Sequence, residues 1–193
     1  MPAPNTAERI YRAARQLFEK YGAESVSMRR VGEAVGVSAM AIYRHFPNRE
    51  TLLKKISDDS FAEIARSWET HAGRGAPLKR LLKLQDLYLD YALAQPNVFD
   101  YAFSVRRDDA RRFPEDFRAR RSPTLNVLAD TVDECMRAGL LRDDDIWDVA
   151  MTLWAHTHGL VALYRAGRFS YDEKRFRKFY LDSIRRLLDG LKP

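Results

Sequence analysis

The sequence predicts an all-α protein. Apolar residues recur at three- and four-residue spacing along most of the chain, and no stretch alternates apolar and polar residues over strand length. Ser, Asp or Asn precedes several of the periodic segments, with Gly or Pro after many of them, as helix starts and stops require.

The first helix carries Ile10, Ala13, Ala14, Leu17, Phe18 and Tyr21 as its apolar series, with Arg9, Arg12, Arg15, Glu19 and Lys20 between them. Asn5 or Thr6 caps its start and Gly22 ends it. A second, short helix runs from the cap Ser27 to Val35, with Val31, Ala34 and Val35 inward. Gly36 stops it, because glycine accepts a left-handed backbone without strain. Ser38 caps a third helix that Pro47 breaks, and Asn48 caps a fourth whose apolar face includes Leu52, Leu53, Ile56, Phe61 and Ile64.

The second and third helices, joined by a tight turn containing glycine, form a helix-turn-helix. At 100° per residue, Ser38, Ile42 and Phe46 share the packed face of the third helix. Met40 and Arg44 fall opposite, flanked by Tyr43 and His45. So short a helix, with such residues turned outward, is built for insertion into a DNA major groove.

Beyond Trp68, His71–Pro77 reads as a linker. Helical patterning resumes from Leu78 to Gln95 and from Asn97 to about Arg107. Arg106–Arg121 is an interrupted, arginine-rich stretch around Pro114, read as a solvated loop or as an attraction for an anionic ligand. Pro123 opens a helix to Arg137. Asp143–Asp145 precedes a long helix over Ile146–Arg165, and a last helix spans Asp172–Leu188. The expected domains are 1–50, the helix-turn-helix unit, and 51–193, a larger helical domain.

A chain of 193 residues with 46% apolar content can bury a real core. No run approaches the roughly 18 apolar residues of a membrane span, and Met1–Asn5 lacks the features of a signal peptide, so the expected location is cytoplasmic. The single cysteine, Cys135, excludes an internal disulfide and a cysteine-based zinc site and reads as a packed thiol. A net charge of +6 and a pI near 9.5 fit a nucleic-acid partner.

Enzymatic chemistry finds no support, and neither a metal nor a cofactor is expected. His156 and His158 are two apart on a helix, so their side chains diverge by about 200°. Gly73-Arg74-Gly75 lacks the strand that precedes a phosphate loop, and no nucleophile or acid pair sits in a recognisable catalytic context.

The series Ala14, Leu17, Phe18, Gly22, then Ser27, then Gly36-Val37-Ser38 into Ile42-Tyr43-x-His45-Phe46-Pro47-Asn48-Arg49-Glu50-x-Leu52-Leu53, resembles the tetracycline-repressor family of bacterial transcription regulators. Trp154, His158 and Gly159 are similar to a Trp-His-Gly signature of one C-terminal subgroup. The resemblance implies phosphate contacts by Tyr43, His45, Ser27 and Arg49, with Ser38 on the same surface. It assigns base contacts to Arg29, Ala39, Met40 and Arg44. An arginine can take guanine O6 and N7 together, whereas Ala and Met touch apolar surface such as a thymine methyl. The competing readings are a Tyr43 ring laid over Val37 or Phe18, a His45 that caps the helix end, and solvated charges at Arg29, Arg30 and Arg44.

A ligand site is expected in the C-terminal core among Tyr88, Tyr91, Phe99, Phe103, Phe117, Met151, Trp154 and His158, suited to a small hydrophobic effector. By resemblance, the last two helices pair with those of a second subunit through Ala155, Gly159, Ala162, Leu163, Phe176, Phe179, Tyr180, Ile184 and Leu187. The expected function is a homodimeric regulator of a palindromic operator in double-stranded DNA, a repressor that its effector releases. The alternative is a helical dimer that binds small molecules without DNA.

Overall fold

The computed structural model describes residues 5–72, 75–103 and 110–193. Among these, α1 (Thr6–Tyr21), α2 (Met28–Val35), α3 (Ala39–Tyr43), α4 (Arg49–His71) and α5 (Pro77–Ala94) are followed by α6 (Pro96–Phe103), α7 (Glu115–Arg118), α8 (Pro123–Arg137), α9 (Ile146–Arg165) and α10 (Glu173–Asp189). Helix accounts for the regular structure of the described residues, and no helix among them is long and apolar enough to cross a membrane. Gly73, Arg74, the N-terminal Met1–Pro4 and the 104–109 part of the arginine-rich stretch lie outside the described residues.

Helix starts follow the capping chemistry. Asn5 accepts from the Glu8 amide at 2.9 Å, Ser27 from the Arg30 amide at 3.2 Å, and Ser38 from the Ala41 amide at 3.2 Å. Asn48 accepts from the Thr51 amide at 2.7 Å and Asp172 from the Arg175 amide at 2.8 Å, while Asp145 takes the amides of Trp147 and Asp148. Each cap satisfies an amide that helix geometry leaves without an internal partner. Gly36 ends α2 with φ +72°, the left-handed conformation its position requires.

The Cα framework divides into two compact units, Met1–Phe61 with Ala94–Asp108, and Ala62–Leu93 with Asp109–Pro193. The expected boundary is at 50/51, near the start of α4; the two units change over further along α4, whose Leu52, Leu53 and Ile56 are wholly buried. In the N-terminal unit, Ile10, Ala14 and Phe18 of α1 join Val31 of α2 and Ile42 of α3 with no exposed surface. Burying a side chain such as Phe18 contributes about 2–3 kcal/mol. Tyr101 of α6 meets Phe18 edge-on at 5.3 Å, and Asn97 donates to the Glu19 carbonyl at 2.9 Å. Tyr21, expected on the apolar face, is instead 54% exposed. Ala34 is exposed as well.

In the C-terminal unit the core includes Leu81 and Leu89 of α5, Val132 of α8, Leu153 and Val161 of α9, and Phe176, Tyr180 and Ile184 of α10. Arg80 of α5 pairs with Glu134 of α8 at 2.5 Å. Arg177 of α10 reaches Asp86 and Asp90 of α5 at 2.5 and 2.7 Å. The stretch around Pro114 contains the short α7, anchored by buried Phe117. Three of its arginines are paired: Arg118 with Asp145 at 2.9 Å, Arg120 with Asp130 at 2.7 Å, and Arg121 with Asp116 at 2.6 Å.

Candidate functional site

The helix-turn-helix is held by a close backbone approach. A Cβ on Gly32 would lie 2.6 Å from the Val37 carbonyl oxygen, so only glycine lets the turn pass so near α2. Ile42, wholly buried, and Phe46 fix the inner side of the five-residue α3. Its outer side is therefore set by geometry: Met40 is 71% and Tyr43 48% exposed. Arg44, His45 and Ser38 are exposed too, while Ala39 is half-buried. Tyr43 is therefore not buried over Val37 or Phe18.

Ser27 is exposed at the start of α2, its oxygen committed to the Arg30 amide and its O–H available as a donor. Arg29 extends into solvent with its side chain 87% exposed, 3.5 Å from Glu33. A pair so exposed contributes little to stability, so the guanidinium can leave it at small cost.

Arg49, expected at a phosphate, is engaged within the chain in this structure. Its Nε donates to the Val26 carbonyl and its Nη2 to the Ala23 carbonyl, both at 2.7 Å, and Glu24 and Glu50 lie 3.6 Å away. The long side chain turns back to brace the turn before α2 and so positions Ser27; a phosphate would have to compete with four acceptors. Replacing Arg49 by Ala is expected to lower stability by about 1–3 kcal/mol through loss of these charge-assisted bonds. Thermal melting checks this, and an unchanged midpoint with weakened DNA binding would return Arg49 to the phosphate role.

The aromatic cluster of the C-terminal unit joins α4, α5, α7 and α9. The Tyr88 hydroxyl lies 2.8 Å from His158 Nδ1 and accepts from Trp154 Nε1 at 3.3 Å. Trp68 meets Tyr88 edge-on at 6.2 Å, and Phe117 lies 6.3 Å from Trp154. Burial pushes the phenols of Tyr88 and Tyr91 up, the latter partly offset by Arg165. Burial lowers the His158 pKa, which keeps the imidazole neutral near pH 7. With its own proton on Nε2 a neutral ring accepts the Tyr88 proton at Nδ1, and in that tautomer protons are donated from Trp154 to Tyr88 and from Tyr88 to His158.

Met151 lies half-buried on α9. Phe99 and Phe103 belong instead to the N-terminal unit, where Phe103 meets Phe99 and Phe61 at 4.9 and 5.8 Å. Trp68 was not anticipated in the cluster; its place in the helical period of Phe61 and Ala65 on α4 was the available signal.

Of the residues expected at a subunit interface, Ala155, Ala162 and Leu163 are exposed, and Gly159, Phe179 and Leu187 are half-buried. Phe176, Tyr180 and Ile184 have no exposed surface. They pack within their own subunit, with the Tyr180 hydroxyl donating to the Gln85 carbonyl at 2.8 Å, so they cannot touch a second one.

Residues 10–56 match the family model of bacterial regulatory proteins of the tetR family, and residues 81–189 match the tetracyclin repressor-like C-terminal domain. The HTH-type transcriptional repressor AcnR of Corynebacterium diphtheriae is 31% identical over 150 residues, covering 75% of this chain and 73% of that one. A Rhodococcus sp. RHA1 protein of unknown function superposes with a TM-score of 0.79 at 20% identity, over 98% of this chain and 97% of that one. FadR of Bacillus subtilis, in complex with stearoyl-CoA, superposes with a TM-score of 0.71 at 14% identity, over 91% and 96%. With matched models at both ends of the chain and an outward-facing helix-turn-helix between the first and fourth helices, this protein belongs to the tetracycline-repressor family of bacterial transcription regulators.

Proposed function

We propose that the protein is a homodimeric repressor of a palindromic operator, released when a small, largely apolar molecule binds its C-terminal unit. The observation that carries the reading is the exposure of Tyr43 and His45 beside Met40 and Arg44 on a capped helix whose inner side is fixed by Ile42. Ser27, Ser38, Tyr43 and His45 take phosphates, which orient the domain. Arg29 and Arg44 read bases, with Ala39 and Met40 supplying apolar contact.

For the effector, Trp154, Tyr88 and His158 supply a few oriented polar groups among apolar and aromatic neighbours, including Tyr91, Phe117 and Met151. That combination suits a mostly apolar ligand with one hydrogen-bonding group. A fold relative, FadR of Bacillus subtilis, is known in complex with stearoyl-CoA, a ligand with a long apolar chain. Such a molecule releases DNA only by binding the DNA-incompatible state better.

Dimerisation uses the outer side of α9 and α10, through Ala155, Gly159, Ala162, Leu163, Phe179 and Leu187. Gly159 lies inside α9, where glycine costs about 1 kcal/mol relative to alanine, yet a Cβ there would meet nothing within 4 Å in its own chain. A closely approaching second subunit supplies the missing reason. Gly159→Ala is therefore expected to stabilise the isolated subunit by about 1 kcal/mol while weakening self-association by roughly 1–3 kcal/mol of overpacking. Sedimentation and urea unfolding measure the two effects; tighter or unchanged association would remove Gly159 from the interface.

Selection of bound fragments from the source genome, repeated with candidate apolar ligands, tests the whole reading. Enriched fragments should share an inverted repeat, and an effector should deplete them. Apolar-ligand binding with no enriched fragment would favour the helical dimer that senses molecules without DNA.

A further inference from the structure

Tyr21 closes α1 at a position where the apolar spacing calls for burial, yet the residue is 54% exposed. Two cations sit against it. Lys20 Nζ lies 5.0 Å from the ring centroid, and the Arg30 guanidinium carbon lies 5.6 Å from it. Arg30 is in the first turn of α2, immediately beyond the Ser27 cap, and its Nη1 is 3.5 Å from the Ser25 carbonyl.

Charge pairing elsewhere in this unit makes the site distinct. Arg12, Arg15, Arg29, Arg49, Lys54 and Lys55 each have a carboxylate within ion-pair distance. Among the described residues, Lys20 and Arg30 have no such partner, as Arg9 and Arg44 have none, and Lys20 and Arg30 sit against one ring. The two like charges repel each other across the ring, and an anion between them offsets that repulsion. Stacking on the ring also restricts the two long stems beforehand, so less side-chain entropy remains to be lost when that anion arrives.

We propose that Lys20, Tyr21 and Arg30 form a phosphate clamp for duplex DNA, gripping a backbone phosphodiester beside the one taken at Ser27. This rests on the DNA-binding reading above. Lys20 and Arg30 supply charge, and the Tyr21 ring holds both in place while its hydroxyl donates to the same phosphate. The clamp reads no base, so its contribution is the same on any duplex sequence.

The test uses the full-length protein and a fluorescein-labelled 30-base-pair duplex of arbitrary sequence, titrated by anisotropy over a range of salt concentrations. Lys20→Ala and Arg30→Ala should each weaken binding several-fold and flatten the slope of log affinity against log salt by about one per subunit. Tyr21→Phe should weaken binding less and leave the slope intact, because the ring and both cations remain. Arg137→Ala, which removes an exposed cation of the other unit, should leave the slope unchanged. Thermal melting and dimer mass should stay at their wild-type values in all four variants. Unchanged slopes in Lys20→Ala and Arg30→Ala overturn the clamp, and a lowered melting point alongside would make the stack an internal brace. A wild-type protein without salt-dependent duplex binding would instead remove the DNA-binding reading itself.

Discussion

Tyr43→Ala is expected to weaken operator binding about 100-fold while leaving the fold and the dimer intact. A hydrogen bond to a charged acceptor contributes about 1.5 kcal/mol at the lower end, and a dimer loses two of them; each 1.4 kcal/mol is tenfold in affinity. The residue is 48% exposed, so removing its ring should change subunit stability by no more than about 0.5 kcal/mol. Anisotropy titration on a selected operator at fixed salt gives the affinity, and thermal melting gives the stability. A drop of several degrees in the melting midpoint, with affinity preserved, would mean that the ring serves packing.

Tyr180→Ala should have the opposite signature. The side chain has no exposed surface, lies 6.0 Å from Phe176 ring to ring, and donates to the Gln85 carbonyl at 2.8 Å. Burial raises its phenol pKa well above the ordinary value. Truncating a buried aromatic residue costs about 3–5 kcal/mol, a large share of the 5–15 kcal/mol that holds an ordinary domain folded. Urea unfolding should show that loss. The milder Tyr180→Phe keeps the ring and loses the hydroxyl's hydrogen bonds to Gln85 and Thr157, so it should destabilise by about 1–2 kcal/mol with the self-association constant unchanged. A Tyr180→Phe protein that dissociates more readily at full subunit stability would restore the residue to the interface.

Tyr180 also illustrates what a sequence can and cannot say. The spacing of Phe176, Tyr180, Ile184 and Leu187 establishes that α10 is a helix with an apolar side. Periodicity does not say whether that side meets its own subunit or another, and here Phe176, Tyr180 and Ile184 turn inward. Helix starts were legible because a cap is a local event: the oxygens of Ser27, Ser38 and Asn48 need only reach an amide three residues on. The limits of α8 and α9, marked by Pro123 and Asp145 at their starts, were legible for the same reason.

Long-range commitments were not. Arg49 lies 23 residues from Val26 in sequence, and nothing at that spacing announces the hydrogen bond between them. Tyr21 fits the apolar period, but Gly22 ends the helix beside it with φ +82°, and the ring emerges at the surface. The four-residue α7 is too short for any period to register. The outward side of α3 was readable because the turn glycine, the cap and Ile42 fix its orientation within a few residues. The aromatic cluster of the C-terminal unit was read only in part, since Phe99 and Phe103 lie on a helix that joins the N-terminal unit.

The most direct test of the central claim attaches a DNA-cleaving iron chelate to α3. Met40→Cys provides the site, since Met40 is 71% exposed, whereas the native Cys135 is buried with its thiol pushed up to about 11 and should not react. Bound to a selected operator, the labelled dimer should cut at two symmetric positions centred about 10 base pairs apart, one in the major groove of each half-site. Cleavage spread evenly along the duplex, or none at all on a DNA the protein binds, would contradict insertion of α3.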